Sequence, residues 1–84
     1  MLSYDECKKI AFEKAKTHNI ELKNAYKIAD DYVFDNEEKE IVGIIPFAVE
    51  SESGNCRGLW NYLNAKNKTM DDMIEINIES GDVL

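Results

Sequence analysis

Residues 41–49 read Ile-Val-Gly-Ile-Ile-Pro-Phe-Ala-Val, apolar at almost every position, and lead through Glu50 into the polar turn Ser51-Glu52-Ser53-Gly54. A second short run, ending Cys56-Arg57-Gly58-Leu59-Trp60, follows. An apolar run bounded by a turn signal reads as a strand, and the pair predicts a β-hairpin. Side chains alternate across a strand, which sets Ile41, Ile45, Phe47 and Val49 against Val42, Ile44 and Ala48. Two apolar faces require cover from two sides, and a chain of 84 residues has few layers to supply it. A bulge near Ile44-Ile45, where Gly43 and Pro46 disturb the ladder, is the alternative. It would flip the alternation, so that neither face is buried along its full length. Where both faces are buried, an N-terminal helix covers one. The chain's own C-terminal segment is the cheapest cover for the other, ahead of a second copy or a different partner.

That N-terminal helix is written in local chemistry. Ser3 can cap it and Glu6 can reach back to complete a capping box, with Leu2 and Cys7 at the two positions of a hydrophobic staple. Asp5 and Glu6 suit the positive end of the helix dipole. Tyr4, Cys7, Ile10, Ala11 and Ala15 recur at helical spacing as an apolar stripe, which Phe12 would widen. The helix should stop near His18-Asn19, where asparagine tolerates a left-handed conformation.

From Ile20 to Ile28 the alternation of Ile20, Leu22, Tyr26 and Ile28 with Lys23 and Lys27 predicts a strand with one wet face. Asp30-Asp31 reads as a turn, Tyr32-Val33-Phe34 as a short strand, and residues 35–39 as a polar turn. Downstream, Leu59 to Leu63 suggests one helical turn, residues 64–68 a loop, and Thr69 with Asp72 the cap of a short helix reaching about Ile76. Residues 78–84 have a weak pattern and read as frayed.

Charge bounds the partners. Ten Lys/Arg against seventeen Asp/Glu give a net −7, which argues against nucleic acid, since phosphate binding needs a basic face. No run approaches the ~18 apolar residues of a membrane helix. The opening residues lack the basic and apolar regions of a secretory signal, so the expected location is cytoplasmic, with Cys7 and Cys56 reduced and buried.

No reaction is legible. His18, the sole histidine, stands where a helix C-terminus favours such a side chain, and no cysteine or carboxylate lies at pairing distance along the helix. Cys7 and Cys56 match no zinc or redox spacing. The acidic group Asp30, Asp31, Asp35, Asn36, Glu37, Glu38 and Glu40 lacks the spacing and central glycine of a calcium loop. The expectation is therefore a non-enzyme without metal or cofactor. Residues that could meet a protein partner are Trp60, Tyr62 and Arg57: tryptophan and tyrosine dominate binding hot spots, and arginine grips carboxylates bidentately. Each has a structural alternative. Trp60 and Tyr62 could fill the core, and Arg57 could pair across the hairpin with Glu50.

The order of elements, with Tyr32-Val33-Phe34 and the stretch from Pro46 through Glu50 to Ser53-Gly54, resembles the bacterial domains grouped as immunity protein 35 over residues 3–63. The resemblance implies one helix on an antiparallel sheet and neutralisation of a cognate toxin by binding. Residues and resemblance together predict a single α+β domain, residues 1–84. Its N-terminal helix packs on a mainly antiparallel sheet of three to five strands, with one or two short C-terminal helices. The expected function is a bacterial protein-binding module, of immunity type, occluding a basic toxin. The alternatives are a small-molecule- or metal-binding accessory domain and a structural homodimer joined through the long strand.

Overall fold

The computed structural model describes residues 1–36 and 46–84. In chain order they form α1 (Tyr4–Thr17), β1 (Asn24–Ile28), β2 (Asp31–Asp35), β3 (Phe47–Val49), β4 (Cys56–Gly58), α2 (Leu59–Lys66), a 3-10 turn (Met70–Asp72) and β5 (Ile74–Ile76). The strands make one antiparallel sheet in the order β4-β3-β2-β1-β5. The α+β architecture expected from the sequence is present, with helices on opposite faces of the sheet.

The capping box at the start of α1 forms as written: the Ser3 Oγ accepts from the Glu6 amide and the Glu6 carboxylate from the Ser3 amide. Leu2 is tied down further, its amide donating to the Ser51 carbonyl at 2.7 Å. Cys7, Ala11 and Ala15 are the buried stripe, and small residues there let the helix lie close to the sheet. Phe12 does not widen it and is 43 % exposed. Helix α1 ends at His18, and Asn19 takes the left-handed turn with φ +57°.

Under α1 lie Leu22, Ala25, Phe34, Phe47, Val49 and Ile76. On the opposite face Ile28, Val33 and Ala48 pack against Leu59, Tyr62 and Leu63 of α2. Phe47 and Val49 thus face α1 while Ala48, between them, faces α2. In the described part of the apolar strand both faces are buried, and the C-terminal segment supplies the second cover. Fully burying a large apolar side chain contributes roughly 1.5–3 kcal/mol, and a two-sided sheet gains that for each such residue on its second face. Residues 41–45 of the long run, and the bulge considered there, lie outside the described residues, as do positions 37–39 of the expected polar turn.

Several further expectations need correction, among them the turn expected at Asp30-Asp31, which falls at residues 29–30 because Asp31 already pairs with Ile28. The segment 20–28 is not a strand with a wet face: pairing starts at Asn24, so Ile20 and Leu22 belong to the connection. Ala25 then points to α1 while Tyr26 and Ile28 pack on the α2 side. Residues 64–66 continue α2, which runs until Asn67 closes it in the left-handed conformation with φ +55°. The Thr69 amide does bond the Asp72 carboxylate, at 2.8 Å, but this holds a single 3-10 turn. Ile74–Ile76 instead pairs with the open edge of β1, where backbone hydrogen bonding outweighs a short helix. The tail is not frayed: Val83 bridges Ile76, and the Leu84 amide donates to the Glu75 carbonyl.

Candidate binding surface

The α2 side of the sheet carries the polar chemistry. Asp31 opens β2 directly after the Ala29-Asp30 turn. Its Oδ1 accepts from the Ser51 amide at 2.8 Å and the Ser51 Oγ at 3.2 Å, and its Oδ2 accepts from the Tyr62 hydroxyl at 2.5 Å. One carboxylate therefore joins β2, the β3–β4 turn and α2. Burial, reinforced by the bond to Asp31, pushes the Tyr62 phenol far above its ordinary range, so it remains a neutral donor. Beside this knot Glu50, almost wholly buried, accepts from Arg57 Nε at 2.9 Å and pairs with Lys66 Nζ at 3.1 Å. The Lys66 contact, and then Arg57, hold the Glu50 carboxyl below the usual carboxylate range against the opposing effect of burial. These ties fix the base of α2 to the sheet.

The three residues singled out as partner contacts are placed differently from one another. Tyr62 is 0 % exposed, its ring in the core and its hydroxyl on Asp31. Arg57 takes the cross-strand pairing with Glu50. Trp60 stands 65 % exposed on the outer flank of α2. The helix explains the split: Leu59, Tyr62 and Leu63 share the inward face, and Trp60 lies about 100° round from Leu59.

Nucleophilic chemistry has little to work with. Ser51 Oγ is bound to a carboxylate; Cys7 is buried as expected whereas Cys56, on the edge strand β4, is only partly so, and burial raises both thiols, which keeps them protonated. Among the described residues no group of three or more His, Cys, Asp or Glu is placed to hold a metal ion. No helix among them is long and apolar enough to cross a membrane. Glu37, Glu38 and Glu40 of the acidic group considered above lie outside the described residues.

Among the described residues, two concavities stand out. A broad open groove of about 800 Å³ runs beside the end of α1, with Phe12, Ile20 and Leu22 among lysines and glutamates of both signs. A smaller pocket of about 240 Å³ lies on the α2 side. Leu59, Pro46, Met70 and Met73 form its apolar wall, with Tyr26 as its aromatic member and Asp35 and Glu75 as its charged ones. The strand register builds it. Tyr26 pairs with Glu75 on β5 and with Val33 on β2, and Asp35 lies two residues beyond Val33 on the same face. Burial raises the Tyr26 phenol, and Glu75 and then Asp35 raise it further. Burial also raises the Asp35 carboxyl, against the lowering effect of the Asn36 amide bond. Sequence reasoning missed this pocket because it depends on β5 lying beside β1. Its one local trace was Met70 and Met73 at helical spacing.

No protein-family model, no curated protein and no solved structure matches the chain.

Proposed function

We propose that the chain binds another protein through the outer side of α2, with Trp60 as its anchor. The carrying observation is that the only tryptophan is mostly exposed on a helix whose neighbouring residues, Leu59 and Tyr62, are buried. Leaving so large an apolar surface in water gains nothing for folding, whereas burial against a partner recovers that hydrophobic energy. The helix beneath it is held by Tyr62–Asp31 and Lys66–Glu50, so the anchor is presented on a rigid element. The resemblance to immunity domains and the net charge of −7 favour a basic bacterial toxin as the target, occluded in the cytoplasm.

A photo-crosslinking residue at position 64, one helical turn beyond Trp60 on the exposed side of α2, captures the partner in cells, and the purified pair is then titrated by isothermal calorimetry, which reads the variant lacking tryptophan as well. Trp60→Ala should leave thermal stability within about 0.5 kcal/mol, as an exposed site does. It should cost at least about 2 kcal/mol of binding, roughly thirtyfold in Kd. A folded variant with unchanged affinity would refute the proposal. Crosslinking only to a second copy of the chain would replace it with the homodimer reading.

A further inference from the structure

We propose that the pocket formed by Tyr26, Asp35 and Glu75 receives an arginine side chain of that partner, with the guanidinium between the two carboxylates and the stem against Leu59, Met70 and Met73. The inference rests on the proposed contact with a partner at α2: the pocket opens on the same side of the sheet as that helix, whose inward residue Leu59 is part of its wall.

Size comes first. About 240 Å³ corresponds to roughly eight waters at ~30 Å³ each, enough for one long side chain and below the ~300–1,000 Å³ of drug-sized sites. Lining comes second. An apolar wall beside two carboxylates matches a side chain that is alkyl along its stem and cationic at its head. Among the described residues neither Asp35 nor Glu75 has an ion-pair partner, so neither carboxylate is already neutralised by a cation there. The third point selects arginine over lysine. A planar guanidinium donates along two edges and stacks on an aromatic face, and here the two acids lie on β2 and β5, the strands flanking β1, with Tyr26 of β1 between them. Access is provided by Met70, half exposed at the end of the wall.

Asp35 supplies a supporting observation. Its carboxyl is raised in the folded chain, so folding favours the protonated form. Its contribution to stability is present below the unfolded carboxylate range and is lost as pH rises through the folded value. At neutral pH the ionised group opposes folding, as a residue placed for binding would. Asn in its place keeps the oxygen that accepts from the Asn36 amide and removes the charge.

The test uses the free protein and a small probe, so it is independent of any partner. The chain has three methionines, Met1, Met70 and Met73, and their 13C-labelled methyl groups report binding separately. n-Butylguanidinium should shift Met70 and Met73 saturably at millimolar concentration and leave Met1 unmoved. n-Butylammonium should bind severalfold more weakly, and n-pentanol at least tenfold more weakly. Asp35→Asn and Glu75→Gln, checked for fold by circular dichroism, should each weaken the guanidinium at least threefold, while Asp35→Asn raises the thermal midpoint at pH 7. The assignment is overturned by an absence of saturable shifts, by equal binding of the alcohol or the ammonium, or by full affinity in both variants. Trp60→Ala should not affect this titration. The pocket can therefore fail while the helix surface stands, and the helix surface can fail while the pocket stands.

Discussion

Ala29 carries φ +52° in the two-residue link between Ile28 and Asp31, a conformation that crowds a Cβ against its own backbone. An L-residue there costs roughly 1–2 kcal/mol, and glycine avoids that strain while giving back about 0.4–1 kcal/mol in unfolded-chain entropy. Ala29→Gly should therefore stabilise the protein by about 0.5–1 kcal/mol, raising the melting midpoint by a few degrees at this chain length. An unchanged or lowered midpoint in calorimetry would show that the turn is not strained. Sequence reading placed this turn one residue late, at Asp30-Asp31, because aspartate is the usual turn former. The register decides otherwise: Asp31 pairs with Ile28 and spends its carboxylate on Ser51 and Tyr62. Donors twenty and thirty-one residues away leave no local trace, so the role of Asp31 was not legible. The Glu50–Arg57 pair was legible, because seven residues across a hairpin is a local distance.

At the scale of elements, the C-terminal turn is tied to α1 by specific contacts. The Tyr4 hydroxyl donates to the Ile78 carbonyl at 2.5 Å and Lys8 Nζ to the Glu79 carbonyl at 2.9 Å. Burial, aided by Asp5 and Glu79, pushes the Tyr4 phenol up to about 12, so this donor stays protonated across the physiological range. Gly81 sits beneath that ring with φ +81°, and a Cβ there would come within 2.5 Å of Tyr4 Cδ2. Gly81→Ala should release residues 78–84 from α1 rather than unfold the sheet. Detachment limits the loss, so global stability should fall by only about 1–2 kcal/mol, less than backbone strain and the clash would cost together. Amide exchange should quicken at least tenfold at position 81 and at Leu84, whose protons bond the carbonyls of Asn77 and Glu75, and stay slow at Val33 and Ala48. Uniform acceleration across the sheet would contradict this. Such docking also explains which elements could be read in advance. The cap, staple and stripe of α1 all lie within its own turns, and the hairpin carries its turn residues. The tail and β5 have short, weakly patterned sequences whose structure is decided by what they pack against: α1 for one, the free edge of β1 for the other.

Over the whole molecule, the net charge of −7 acts on stability and on association in opposite directions. Unpaired carboxylates repel one another in the compact state, and salt screens that repulsion over a Debye length of about 10 Å at 0.1 M. The Glu50 pairs are shielded from this screening, because the carboxylate is nearly buried. Raising salt from about 20 to 300 mM should therefore raise the melting midpoint by a few degrees. In the same range, association with a basic partner should slow at least tenfold, since long-range attraction is what salt removes first, while dissociation stays nearly constant because contacts around Trp60 are short-ranged. Stopped-flow fluorescence of Trp60 reads both rates on the protein whose melting is measured. The opposite signs separate steering from unfolding: a variant or buffer that merely destabilised the fold would weaken binding and lower the midpoint together. An association rate indifferent to salt would remove the acidic surface from the encounter and leave the aromatic anchor alone to account for recognition.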